Sequence, residues 1–257
     1  MVVAFYVMVA LGGLGVGVVV NALADRISGD EEPPWVAGHC RTCGTPLPAA
    51  RYIPFLNLRA SRRQCPSCGT TASLRRPLVE LALAVLYPLL LTHLLVPENA
   101  GRIAPWAIFL LDALIFAVLA FVFSVDLEHH LIYSLSVFAP AALLVLVALI
   151  TDRKALASML IGTVICAGLF LLLYGLGFLL YRVEALGLGD VQLAVLIGIF
   201  VGWQGVITSL VLAALFGAAI GLVILGTREE SSHTYMPYGT VMSIGAILAI
   251  LMVRPLW

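Results

Sequence analysis

The sequence predicts an all-α polytopic membrane protein, with about eight transmembrane helices and a small cytoplasmic domain between the first and the second. Three observations predict it. Hydrophobic residues make up 62% of the chain and charged residues only 11%, whereas a soluble domain carries about a quarter charged residues. Apolar segments close to the ~20 residues that a helix needs to cross a bilayer recur along the sequence. A polar stretch rich in Pro and Gly interrupts them at 25–77 and holds two cysteine pairs. With 14 basic and 14 acidic residues the net charge is zero, so no basic excess points to nucleic acid.

The first span covers 1–24. It has no positive n-region and no short cleavage-type pattern, so it reads as a retained span rather than a signal peptide. The domain at 25–77 carries Cys40-x-x-Cys43 and Cys65-x-x-Cys68. This spacing matches a four-thiolate zinc site, in which each pair forms a knuckle and the metal closes the loop between them. Disulfides compete with that reading if the segment is extracytoplasmic. The segment is too small to build a large core, so bound metal is expected to supply much of its folding energy. His39 and His233 are further candidate ligands, but four cysteines already complete a tetrahedral set.

The transmembrane core occupies 78–257. Its spans are expected near 78–96, 103–124, 131–150, 155–181, 190–203, 206–226 and 238–253. The 190–203 and 206–226 spans form one unbroken apolar run. It divides at Gly202-Trp203-Gln204-Gly205, where Trp and Gly suit an interfacial turn. The fifth cysteine, Cys166, lies inside an apolar span and reads as a small packing residue.

Basic residues set the orientation. Arg26, Arg41, Arg51, Arg59, Arg62, Arg63, Arg75 and Arg76 lie in 25–77, and Arg182 and Arg228 fall on the same side, which makes ten. Arg102, Arg153, Lys154 and Arg254 make four on the other side. The 25–77 domain is therefore expected in the cytoplasm, with both termini outside. A reducing compartment favours zinc over disulfides for the cysteine pairs.

The same topology puts Asp126 and Asp190 on the cytoplasmic side. Asp126 ends the third span. Asp190 opens the sixth, closing Gly187-Leu188-Gly189-Asp190 near Arg182 and Glu184. A carboxylate at a membrane boundary is costly unless it pairs, faces water or does chemistry. Two carboxylates held close share a proton. The ionised partner then activates a water while the protonated one polarises a carbonyl, which is the chemistry of an aspartyl protease at a membrane surface. Flanking glycines let a substrate backbone approach closely.

The competing reading is that each Asp caps a helix or meets the interface. Asp190 precedes the apolar run Val191–Phe200, a natural N-cap position. Asp112 lies 14 residues before Asp126, about 21 Å along the same helix and nearly on the same face. It is too far away to join the same reaction and is expected to face the bundle interior. His129 and His130 either tune Asp126 or are solvated interface residues. Glu80, after Arg75-Arg76-Pro77, either pairs with an arginine or belongs to a functional site.

These residues form an ordered set of motifs. Gly17-Val-Val-Val-Asn21 and Arg26 come first, then the cysteine pairs with Tyr52-Ile53-Pro54 between them. Arg75-Arg76-Pro77-Leu78-Val79-Glu80 and Asp126-Leu-Glu-His-His-Leu-Ile132 follow. Gly187-Leu-Gly189-Asp190-Val-Gln-Leu193 and Met236-Pro237-Tyr238-Gly239 close the set. In order and spacing the chain resembles the type IV prepilin peptidases, bacterial membrane aspartyl proteases of the Gly-x-Gly-Asp type.

The resemblance implies a catalytic pair of Asp126 and Asp190, with Gly187, Gly189, Glu80 and Gln192 binding substrate or shaping the site. It implies cleavage of the short basic leader of prepilins or pseudopilins at the cytoplasmic face of the bacterial inner membrane. The cut falls after a Gly, just before the hydrophobic pilin helix. The bilayer-embedded substrate helix is then admitted sideways, between the third and sixth spans. The resemblance also implies methylation of the new N-terminus with S-adenosylmethionine, and a purely structural zinc on Cys40, Cys43, Cys65 and Cys68.

Three departures stand out. The family's Ile-Pro-Asp is here Ile132-Tyr133-Ser134, its Lys in the second motif is Gln192, and its Tyr before Pro77 is Arg76. A different class of function remains open at this stage: a non-catalytic assembly or transport protein with a zinc docking module and a carboxylate relay.

Overall fold

The chain is seen in a computed structural model that describes residues 2–27, 40, 43–46, 64–69, 73–94, 104–181, 187–227 and 237–253. Seven helices and no strand occur among the described residues. They are α1 (Val2–Ile27), α2 (Arg75–Leu94), α3 (Pro105–His129), α4 (Ser134–Thr151), α5 (Arg153–Tyr181), α6 (Leu188–Thr227) and α7 (Tyr238–Met252). Five of them, α1 and α3 to α6, are long and apolar enough to cross a membrane. Only helices satisfy every backbone polar group within one segment in hydrocarbon, so apolar runs of this length fold this way. The protein is a polytopic helical membrane protein.

The chain divides into two units, residues 1–95 and 96–257. In the first, α1 and α2 pack at backbone distance. A Cβ on Gly17 would lie 2.7 Å from the Cα of Glu80, and Gly13 faces the backbone of Leu83. Small residues permit this close approach between apolar helices.

A polar lock closes the same pair. Asn21 Nδ2 donates to the Arg76 carbonyl and to Glu80 Oε1, each at 3.1 Å. Arg75 and Arg76 both ion-pair with Asp25. α2 therefore starts at Arg75, three residues before the expected span, because Asp25 neutralises the charges of its first turn.

Among the long spans of the second unit α3 is the most enclosed. Its apolar window is 61% buried, against 22% or less for α4, α5 and α6. Pro105 opens it at a position where no N–H is needed. It ends at His129, five residues beyond the expected span, with His130 in the left-handed conformation (φ 53°) closing it. Asp126 thus lies inside the last turn. Asp112 is buried, as its inward-facing assignment requires.

α6 is broken at Gly202, whose φ of 61° and ψ of 177° are non-helical. That conformation suits only glycine, and it falls where the sequence divides the apolar run. On the N-terminal side of the break, Gly198 packs against Gly162 and Thr163 of α5. On the C-terminal side, Ser209 and Ala213 pack against Gly245 of α7.

Candidate active site

Asp126 reaches out of the last turn of α3 to the start of α7. The N-cap of α7 is Pro237, which has no side-chain acceptor to offer. The first N–H groups of a helix lack internal partners, and here a carboxylate from another helix serves them. Thr240 donates its backbone N–H to Asp126 Oδ2 at 2.6 Å and its hydroxyl to the same oxygen at 3.0 Å. Gly239 makes room: a Cβ there would lie 2.8 Å from Asp126 Cγ. Asp126 and Thr240 are both buried, and an anion at a helix N-terminus also meets the favourable end of the helix dipole.

Asp190 stands in the first turn of α6 rather than before it. Gly187 is the residue ahead of the helix, and its N–H donates to Asp190 Oδ2 at 3.2 Å. This is the reaching-back half of a capping box, made by an acid at the third helical position. Asp190 also lies within electrostatic reach of Asp126. The segments that carry the two carboxylates meet, Ile132 against Gly189 and Ser134 against Gln192. Both carboxylates also serve as helix-end acceptors.

The segments flanking the two carboxylates touch. A Cβ on Gly189 would sit 3.1 Å from Ile132 Cβ, so the smallness of Gly189 serves packing against the loop after Asp126. Ser134 Oγ donates to Gln192 Oε1 at 3.0 Å. Glu80 belongs to the other unit, where it accepts from Asn21.

The four cysteines Cys40, Cys43, Cys65 and Cys68 converge, with all four Sγ atoms within 4.8 Å of one another. Cys40 faces Cys68 and Cys43 faces Cys65, each at 3.6 Å. A disulfide needs about 2.05 Å. Metal–sulfur bonds of about 2.3 Å arranged tetrahedrally put sulfurs about 3.8 Å apart. The two halves repeat one turn: Gly44 and Gly69 have φ of 69° and 72°, and their N–H groups donate to the Cys40 and Cys65 carbonyls. Donor set and geometry fit a tetrahedral metal.

Two residues of these constellations are not singled out by the sequence. Thr240 directly follows the Pro237-Tyr238-Gly239 motif, so its place in the first turn of α7 was the available signal. Asp25 adjoins Arg26 one turn after Asn21. Arg182, Glu184, His39, His233, Tyr52-Ile53-Pro54 and Met236 lie outside the described residues.

The model of the type IV leader peptidase family matches residues 113–222, and that of the bacterial peptidase A24 N-terminal domain matches residues 11–94. A prepilin leader peptidase/N-methyltransferase of Myxococcus xanthus is 30% identical over 237 residues, covering 89% of this chain and 68% of that protein. One of Aeromonas hydrophila is 30% identical over 230 residues, with 87% and 75% covered. One of Pseudomonas putida is 28% identical over 217 residues, with 84% and 72% covered. No solved structure matches the chain.

Proposed function

The chain belongs to the type IV leader peptidase family, and on that premise we propose that it cleaves the short basic leader from type IV prepilins or pseudopilins. Asp126 and Asp190 are the catalytic pair in this reading. The observation that carries it is the contact between the segments that bear them, Ile132 on Gly189 and Ser134 on Gln192, with Asp126 seated on Thr240.

The chemistry follows from a pair of carboxylates sharing one proton. The ionised carboxylate takes a proton from water as the water oxygen bonds to the scissile carbonyl carbon. The protonated partner gives its proton to the carbonyl oxygen. Collapse of the tetrahedral diol breaks the C–N bond, and the leaving amine takes up a proton from the pair. Asp126 Oδ2 already accepts two hydrogen bonds, so the shared proton resides on Asp126 Oδ1 or on Asp190. Gly187, Gly189 and Gln192 shape the site beside Asp190. Glu80 braces α1 against α2 and is the candidate for a substrate contact in that unit.

The proposed architecture has a first helix at 1–24, a zinc-binding domain at 25–77 and a protease core at 78–257, with eight crossings. The break at Gly202 supports the count. Gly239 abuts Asp126, and Gly245, about 9 Å further along α7, packs on Ser209. A straight α6 would put Ser209 about 28 Å from Asp190, so a reversal at Gly202 reconciles the two distances. The excess of basic residues flanking the site-bearing ends supports an active site facing the cytoplasm from the inner membrane.

Zinc on Cys40, Cys43, Cys65 and Cys68 would stabilise the 25–77 domain. The relatives are also named as N-methyltransferases. The proposed second activity methylates the new N-terminus, with S-adenosylmethionine as methyl donor.

The deciding experiment is cleavage of a purified prepilin by the protein reconstituted in lipid, alongside Asp126→Asn and Asp190→Asn. Wild-type leader removal that both variants lose is expected. Equal cleavage by either variant refutes the assigned pair, and no cleavage by the wild type refutes the peptidase reading.

A further inference from the structure

Two of the motif departures meet in space. Where the family pattern has Asp, this chain has Ser134, and where it has Lys, this chain has Gln192. Ser134 Oγ and Gln192 Oε1 are 3.0 Å apart, across 58 residues of sequence. Ser134 is the first residue of α4, eight positions after Asp126. Gln192 is two positions after Asp190. Both departures are neutral, and in this chain the two residues pair with each other as donor and acceptor.

The contact is one of two that bracket Asp190. Ile132 packs on Gly189 just before it, and Ser134 bonds Gln192 just after it. Both partners come from the segment that leaves α3 below Asp126, which turns sharply at His130 with φ 53°. That segment is short, so its attachment to α6 fixes how far Asp190 stands from Asp126. Either face of the Gln192 amide can meet a hydroxyl, which both donates and accepts.

We propose that Ser134 and Gln192 form a neutral clasp that sets the separation of the two carboxylates, which makes them positioning residues for the dyad. The inference rests on the aspartyl-protease reading. A small misplacement of reacting groups is costly in rate. Loss of the clasp is therefore expected to act mainly on kcat.

The test is a cycle in the full-length reconstituted protein with a purified prepilin: Ser134→Ala, Gln192→Leu, Ser134→Asp, Gln192→Lys and the double variant Ser134→Asp/Gln192→Lys. Each single variant is expected to lose about tenfold in kcat with KM within about twofold. The double variant is expected to recover to within about threefold of wild type, because the charged pair rebuilds the clasp. Singles with wild-type kcat overturn the proposal, as does a double variant whose loss equals the product of the single losses.

Thermal unfolding of the same variants in detergent reads the contact without substrate. Coupled shifts in the cycle are expected, and additive shifts overturn the clasp. If the wild type fails to cleave, the peptidase reading falls while the unfolding cycle still decides the contact.

Discussion

Thr240 donates both its backbone N–H and its hydroxyl to one oxygen of Asp126, a residue 114 positions earlier, at 2.6 and 3.0 Å. The start of α7 and the end of α3 are thereby joined at the carboxylate itself. Asp126 can neither swing away nor turn its Oδ2 toward a substrate without breaking both bonds. In the proposed reaction Thr240 therefore acts as the group that holds Asp126 in place.

Thr240→Val removes the hydroxyl and keeps the backbone N–H and the shape. A hydrogen bond to a charged group contributes about 1.5–3 kcal/mol, so kcat for leader removal is expected to fall about tenfold or more. Thr240→Ser is expected to retain most of the activity. Steady-state cleavage of a purified prepilin measures both, and an unimpaired Val variant would remove Thr240 from the site.

Gly239→Ala separates geometry from helix propensity. Alanine is the better helix former by about 1 kcal/mol, so propensity alone predicts a more stable α7. The added Cβ would sit 2.8 Å from Asp126 Cγ and 3.0 Å from Oδ2, so the carboxylate must move. A displacement of about 1 Å is expected to lower kcat about a hundredfold, and the weakened Thr240 bonds are expected to cancel the propensity gain or outweigh it in the unfolding temperature. Wild-type kcat in this variant would show that the Asp126 carboxylate tolerates displacement.

Much of this arrangement was legible in the sequence, for identifiable reasons. Apolar run length dictates helices because hydrocarbon leaves the backbone no other partner. Gly202 is visible as a break because it falls within an unbroken apolar run, beside Trp203. The cysteine spacing anticipates the converging thiols because each knuckle is a local turn. Helix ends were less legible. α2 begins early because Asp25, 50 residues away, neutralises Arg75. Asp190 sits inside its helix because Gly187 supplies the N-terminal position. Thr240 was missed because its partner is remote in sequence, and hydropathy carries no information about contacts of that range.

The ion pairs at the neck of α1 and α2 are unequal. Arg75 and Asp25 are 3% and 2% exposed, whereas Arg76 is 36% exposed. Removing one partner of a buried pair costs about 3–5 kcal/mol, because it leaves a buried charge with less compensation. Asp25→Ala is therefore expected to destabilise the protein strongly. Arg76→Gln, at the wetter side, is expected to cost about 1 kcal/mol or less. Thermal unfolding in one detergent compares them, and equal effects would contradict the burial argument.

The thiol cluster makes the last prediction. Sulfurs at 3.6 Å across the two knuckles are too far apart for disulfides and close to the edge of a tetrahedron around zinc. One zinc per chain is expected on metal analysis. Thiolate ligands compete with protons for the metal, so the zinc should be released as pH falls. Cys40→Ser/Cys43→Ser is expected to lose the metal and the paired turns at Gly44 and Gly69. The helices α1 and α2 should survive, because Gly13, Gly17 and the Asp25 ion pairs join them without using the cysteines. Leader cleavage should also persist in this variant, since the proposed hydrolysis uses carboxylates and no metal. Full zinc occupancy in the double variant would remove the cluster as the metal site, while loss of cleavage together with zinc would tie the domain to the protease step.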